Sequence, residues 1–306
     1  MKVISIIILL LAGFLIFSMR LQNKGIDKEP VPKENRIIGE IEDSDIKYEG
    51  SIQLEGIGVF NFNPDEIQTT RKDIFKEGHF SLFDILVHLD KSGDITLDHA
   101  FDEAMNTSVI NSINGNGSSW WYQAYYDGGW PERNVFRMDH FPYKDKITIQ
   151  VMNVTQGRLD DIFKAFREEV NRKNNNNGDI IIPNVSIRSK SEQLTFTNVE
   201  VKAHNLREDI FQEGVITAID VIMSLGDEDR LTYDLKWFES IGTAGVVRSY
   251  WVNRINRDEG QGKCGFVYEA GPTRFRARGG NHIHIPSDTR VINSPEYVEW
   301  FWICLK

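Results

Sequence analysis

A chain of 306 residues, at roughly 150 residues per domain, has room for two domains and at least one full core. Its 41% hydrophobic and 26% charged residues, with 24 Gly and 9 Pro, exclude a wholly disordered chain and a collagen, and a mean hydropathy of -0.36 excludes a multispan membrane protein. The net charge of -10 argues against phosphate-backbone binding, which rests on Lys and Arg, so no nucleic-acid partner is expected.

At the amino terminus, Lys2 precedes an apolar run from Val3 to Met19, and Arg20 and Lys24 follow it. As a helix this run would reach about 25 Å, a little short of a ~30 Å hydrocarbon core yet longer than the apolar part of most cleaved signals. No small-x-small cleavage site follows it and no Cys stands there to take a lipid. Residues 1–20 therefore read as a signal anchor to the membrane, with a signal peptide as the alternative. Basic residues on both flanks leave orientation open under the positive-inside rule. The short basic front favours export, and a cytoplasmic domain tethered to the membrane is the alternative. Residues 21–45, charged and carrying Pro30 and Pro32, read as a linker.

The strongest signal is an internal duplication. Arg71–Gly78 (RKDIFKEG) recurs as Arg207–Gly214 (REDIFQEG), with six of eight positions identical at an offset of 136. The register then runs on without a gap through Asp84 and Asp220, Leu89 and Leu225, Asp98 and Asp234, to Phe101 and Trp237. That period is too long for a solenoid unit, so each copy is expected to be a domain with its own core. The first copy spans 46–156 and the second 179–306, with a helix and an Asn-rich loop at 157–178 between them.

Within each copy, Ser81–Asp84 and Thr217–Asp220 have the Ser/Thr-x-x-acid form of a helix-starting capping box. The positions Leu82, Ile85, Leu86, Leu89 and Ala218, Val221, Ile222, Leu225 follow at helical spacing. The period then shortens to two at Ile95, Leu97, His99, Phe101 and at Leu231, Tyr233, Leu235, Trp237, which predicts a half-buried strand or an irregular extended segment. Further strands are expected at 109–113 and 246–252, at the aromatic runs 121–126 and 266–268, and at 147–152 and 297–305. Turns are expected at 127–129 and at Glu269–Gly271. The aromatic runs match at an offset of 142, which implies an insertion of about six residues near Arg257–Gly262, and His140–Pro142 is expected to match His284–Pro286. Between the copies, Leu159, Ile162, Phe163, Phe166 and Val170 mark a helix that Asn174–Gly178 stops.

The motif order in copy one is carried by Ser81–Leu86, Ile110–Gly115, Trp120–Gly129 and Asp145–Ile149, and in copy two by Thr217–Ile222, Val246–Ile255, Gly265–Gly271 and Tyr297–Trp302. It resembles the transcobalamin carboxyl-terminal-like domain, a β-grasp-type module of prokaryotic surface proteins, over most of residues 50–152 and 198–306. Copy two departs from the pattern, with Phe266 where the family has Trp and Glu269 where it has Asn. The resemblance implies an α+β protein of two tandem β-grasp-like domains, each a small, mostly antiparallel sheet with one packed helix, behind an N-terminal hydrophobic helix. It also implies a ligand-presenting or ligand-binding surface domain. Transcobalamins hold their corrinoid with a second, helical domain; no such domain is expected in this sequence, and no cofactor is expected.

No catalytic constellation emerges: there is no Gly-x-Ser-x-Gly elbow, His-Glu-x-x-His helix, phosphate loop or dinucleotide fingerprint. His282 and His284 could share a strand face as metal ligands, but no third ligand is nearby and a structural role is expected. Asp90, Ser92, Asp94, Thr96 and Asp98 fail the calcium-loop test, with Gly at the fourth position rather than the sixth. Trp120, Trp121, Tyr122, Tyr125, Tyr126 and Trp130, beside the Gly/Ser-rich loop Asn114–Ser119, are the candidate ligand surface, although alternation along a strand would send about half of them inward. Cys264 and Cys304, the only cysteines, either form a disulfide in an oxidising compartment or remain buried thiols. Arg71 with Asp73, and Arg207 with Asp209, read as repeated structural ion pairs. The expected function is a membrane-anchored, extracytoplasmic binding or interaction protein whose surface ligand or protein partner is not specified. A structural scaffold without a small ligand is the first alternative and a carbohydrate-active enzyme the second.

Overall fold

The computed structural model describes residues 50–117, 119–126, 135–240, 246–276 and 285–304. The anchor and linker at 1–45 lie outside them, as do His282, His284 and Trp130. Among the described residues no helix is long and apolar enough to cross a membrane. Lys47–Lys306 forms one compact unit of mixed α+β structure.

The first repeat opens with the hairpin β1 (Gly50–Leu54) and β2 (Gly58–Phe62). Helix α1 (Leu82–Ser92), the ribbon β3 (Leu97–Asp102) and β4 (Thr107–Ile113), and strands β5 (Trp120–Tyr126) and β6 (Ile147–Asn153) follow. Helix α2 (Gln156–Asn175) leads to the second repeat: β7 (Ile180–Arg188), β8 (Gln193–Val201), α3 (Asp220–Asp227), β9 (Tyr233–Phe238), β10 (Ser249–Ile255), the short β11 (Asp258–Glu259), β12 (Cys264–Gly271) and β13 (Tyr297–Cys304). The four-stranded sheets run β2-β1-β6-β5 and β8-β7-β13-β12. In each, a parallel central pair is flanked by antiparallel neighbours. The two sheets thus share one strand order and one pattern of parallel and antiparallel pairing.

Local chemistry starts the helices as expected, with one difference. The Asp84 carboxylate accepts from the Ser81 N–H at 2.8 Å and Ser81 Oγ accepts from the Asp84 N–H, a complete capping box. In the second repeat Asp220 accepts from Thr217 N at 2.7 Å and from Thr217 Oγ1 at 2.9 Å. There, however, Val221 and Ile222 donate to the carbonyls of Ala218 and Ile219, a tighter i to i+3 turn. Helix α3 accordingly begins only at Asp220 and runs 8 residues against 11 in α1.

The stripe Leu82, Ile85, Leu86, Leu89 is at most 1% exposed against Ile52, Leu54, Trp120, Tyr122 and Val151 of the first sheet. Each such side chain contributes about 1.5–3 kcal/mol. Val221, Ile222 and Leu225 do the same against Val185, Ile187, Tyr268 and Val298. The ribbon β3–β4 departs from the half-buried strand expected of it. Leu97 is buried but His99, Ala100 and Phe101 are exposed, because β3 and β4 form a two-stranded sheet of their own.

Three sequence alignments need correction. Asn111 and Asn114 match Asn253 and Asn256, as shown by their bonds to Asp98 and Thr96 and to Asp234 and Thr232. The offset has therefore already reached 142 before Arg257, and the six-residue insertion lies between β9 and β10. Glu269–Gly271 is not a turn. It lies in β12, where Ala270 pairs with Val298 as Ala124 pairs with Ile149, so Glu269 matches Gln123. His140–Pro142 does not match His284–Pro286, because Ser81 bridges to Pro142 and Thr217 to Val291. That pairing places Asp139 opposite Asp288.

The repeated octapeptide holds the two repeats together. Lys76 N donates to Ile210 O and Gln212 N to Ile74 O, both at 2.9 Å, so the two motifs pair antiparallel about a local twofold. Phe75 and Phe211 meet there with ring centroids 5.6 Å apart, within a small apolar cluster with Ile74 and Ile210.

Candidate functional site

Each octapeptide also begins a buried ionic brace. Arg71 Nε and Nη2 donate to Asp73 at 2.9 and 2.7 Å, and Nη1 donates to Asp139 at 2.9 Å. Arg207 repeats this on Asp209 at 2.8 and 2.8 Å and on Asp288 at 2.9 Å. The guanidinium groups lie 5.3 Å from the ring centroids of Phe101 and Trp237, the same aromatic position in each repeat. Asp139 and Asp288 are fully buried. Burial pushes their carboxyls up, opposed by the arginines. The expected Arg–Asp pairs are thus present, but the buried third member, Asp139 or Asp288, escaped the sequence reading because loop insertions shift its register.

A cleft of 190 Å³ borders the first brace, with Asn106, His140, Lys173 and Asn293 among its walls. It offers little to a ligand. Arg71 spends its donors on Asp73, Asp139, Asn106 Oδ1 and His140 Nε2. Burial, with Arg137 and Arg71 nearby, holds the His140 ring well below its usual pKa and keeps it neutral.

The candidate aromatic surface divides as alternation requires. Trp120 and Tyr122 are buried in the first core, with Trp120 Nε1 donating to Asn116 O and Tyr122 Oη to Phe136 O. Trp121 and Tyr125 lie on the opposite face, half-buried, and Trp121 packs on Phe163 and Phe166 of α2. The Tyr126 side chain and Trp130 lie outside the described residues. The four described residues therefore lie on two opposite faces of β5.

The larger groove, of 460 Å³, lies on the outer face of the second sheet, away from α3. Strand pairing sets its floor: Tyr297 lies beside Asn184, Glu299 beside Ser186, and Ser186 beside Thr195, while Glu269, opposite Glu299, is buried next to the lining and not part of it. Glu269 and Glu299 are 0% and 1% exposed. The Glu299 oxygens accept from Arg188 Nε and Arg276 Nη2, and burial together with Glu269 pushes the Tyr297 hydroxyl up. Arg276 stacks 5.0 Å from the Tyr297 ring centroid. The turn that presents Arg276 is held from both sides: Thr273 N donates to Glu296 at 2.8 Å, and Arg274 pairs with Asp161 of α2.

The same face of the first repeat has no ionic floor. Gln53, Gln123 and Gln150 stand where the second repeat has Ser186, Glu269 and Glu299, and Gln150 Nε2 donates to Gln53 Oε1 at 3.0 Å. Glu269 was missed at the sequence level because it was placed in a turn. The change from Gln123 and Gln150 to Glu269 and Glu299, read in the correct register, was the signal that could have found it. At the far end of the same two strands Cys264 and Cys304 form a disulfide. No group of three or more potential metal ligands occurs among the described residues.

Compared with protein-family models, curated proteins and solved structures, the chain matches none.

Proposed function

We propose that this chain is a membrane-anchored, extracytoplasmic binding protein built from two tandem β-grasp-like domains of transcobalamin carboxyl-terminal-like type, and that its ligand site is the outer groove of the second repeat. The domain reading is supported by a sheet order with a parallel central pair and one helix on its inner face, occurring twice. The compartment is supported by the Cys264–Cys304 disulfide, since such bonds persist outside the reducing cytosol.

One observation carries the site: a 460 Å³ groove with an ionic floor is present in one repeat, while the equivalent face of the other bears neutral glutamines. Its volume falls within the range of small-molecule pockets. Both Glu299 oxygens are engaged by arginines, which suits a fixed binding wall better than a proton-transferring pair. Two measurements test the proposal. External protease on intact cells should degrade the chain, and its protection would overturn the location. A thermal-shift screen of small polar molecules should give ligands whose stabilisation disappears in Thr195→Trp, which fills the groove from an exposed edge-strand position. Ligands unaffected by that variant would overturn the site.

A further inference from the structure

The groove's walls specify more than a small polar molecule. Arg188 is 45% exposed at its side chain and Arg276 28%, whereas Glu299 between them is 1% exposed. A ligand entering the groove therefore meets guanidinium edges, with the carboxylate behind them. Each arginine uses one nitrogen on Glu299. Beyond these bonds Arg188 Nη1 and Nη2 have no partner among the described residues, while Arg276 Nε, also without a partner among them, is buried out of a ligand's reach. A planar carboxylate is the group that matches spare guanidinium donors of this kind. Around the two arginines the rim is hydroxyl and amide: Asn184, Ser186, Gln193, Thr195 and Thr273. Such groups both donate and accept, as sugar hydroxyls do.

Resting on the groove reading above, we propose that the ligand is an acidic saccharide, a sugar whose carboxylate sits on Arg188 and Arg276 while its hydroxyls bond to the Asn, Ser, Gln and Thr rim. Ion pairing to partly exposed arginines makes the affinity salt-sensitive. Isothermal titration of the full chain with glucuronate and galacturonate, against glucose and galactose, tests the proposal. The acids should bind at least tenfold tighter, and raising the salt should erode that preference.

Arg188→Gln should abolish the preference. Thr195→Glu, which adds a carboxylate at the exposed edge without touching Glu299, should do the same with an unchanged melting temperature, so the test survives if the Arg188 variant folds poorly. Equal binding of acidic and neutral sugars would overturn the acidic-saccharide assignment and leave the groove intact. Binding that persists in Thr195→Trp would overturn the groove itself.

Discussion

The two ionic braces are near copies, yet their surroundings differ, and the difference separates what the duplication preserved from what it released. Asp139 is fully engaged: it accepts from Thr107 Oγ1 at 2.5 Å, Ser108 N at 2.9 Å and Arg71. Asp288 accepts from Tyr250 N at 2.7 Å and from Arg207, but its Oδ1 is buried without a partner among the described residues. Ser249, which matches Thr107, donates instead to Val247 O at 3.0 Å. Lys144 of the first repeat comes in nearby, donating to Val247 O at 2.7 Å and Ser249 Oγ at 2.9 Å and acting on Asp288 through its charge without a direct bond. The matching residue of the second repeat, Asn293, reaches back only to the neighbourhood of His140 and Asn106. One repeat closes its brace from within, and the other borrows a cation.

The sharpest way to break this comparison is to remove the buried acids. Asp139→Ala strands Arg71 in a buried site and should cost about 3–5 kcal/mol in urea unfolding. Asp288→Ala should cost less, because one of its oxygens has no bond to lose. Equal losses would show that the unpartnered oxygen is satisfied in solution and that the two braces are energetically the same.

Next in size is the disulfide, which only the second repeat has. The bridge spans a sequence separation of 40, and the chain-entropy relation for such a loop gives about 4 kcal/mol as an upper figure, with about 2–4 kcal/mol typical. Cys264→Ser with Cys304→Ser should lower the unfolding free energy by that amount. Hydrogen exchange should show faster opening in β12 and β13 than in β5 and β6. Uniform acceleration across both sheets would mean that the repeats unfold as one cooperative unit.

How far the sequence reveals this comparison depends on what fixes each feature. The capping boxes, the helical stripes and the octapeptide were legible because they are local, and because the 71–101 and 207–237 stretches carry no insertion. Asp139 and Asp288 were not, because insertions in surface loops cost little free energy and let the offset drift before the acids are reached. The match of His140 to His284 rested on a shared letter, whereas the structural equivalence rests on which carboxylate an arginine 68 residues upstream requires. The groove failed for the same reason: a four-residue error of register turned a buried strand carboxylate, Glu269, into a turn residue. The exposed ribbon face at His99 and Phe101 was misjudged because period two reports alternation and not what covers either side.

Lys144 gives a smaller and pH-dependent test. Burial lowers its pKa to about 8, opposed by Asp288 and Asp209 and reinforced by Arg207. Its folded pKa is thus below the unfolded value of about 10.4, so between pH 8 and 10 the unfolded chain binds more protons and stability rises with pH, by at most about 1.4 kcal/mol per unit. The gain should end near pH 10, where the Tyr143 hydroxyl, pushed up to about 12 by burial, acts in the opposite direction. Denaturation at pH 7.5, 8.5 and 9.5 should show the rise in the wild type and a flat profile in Lys144→Met. A rise that survives in the variant would assign it to another group.

The smallest difference lies at the helix ends, and it has a defined sign in each repeat. Helix α1 ends on Gly93 with φ 85°, and the matching residue after α3 is Asp229 with φ 55°. The two bonds that close these ends are equivalent, from Asp94 N to Leu89 O and from Arg230 N to Leu225 O, both 3.0 Å. The backbone shape is therefore the same, and only the second repeat bears the strain of a side chain in the left-handed region. Nothing lies within 4 Å of a Cβ built at Gly93, so Gly93→Ala meets no clash and its cost, about 1 kcal/mol, is conformational alone. Asp229→Gly should stabilise by about 0.5 kcal/mol, because relief of strain outweighs the added entropy of the unfolded chain. Opposite signs in the two melting temperatures would support one shared helix stop tolerated differently in the two copies. A loss from both substitutions would mean that the Asp229 side chain contributes a contact exceeding its strain.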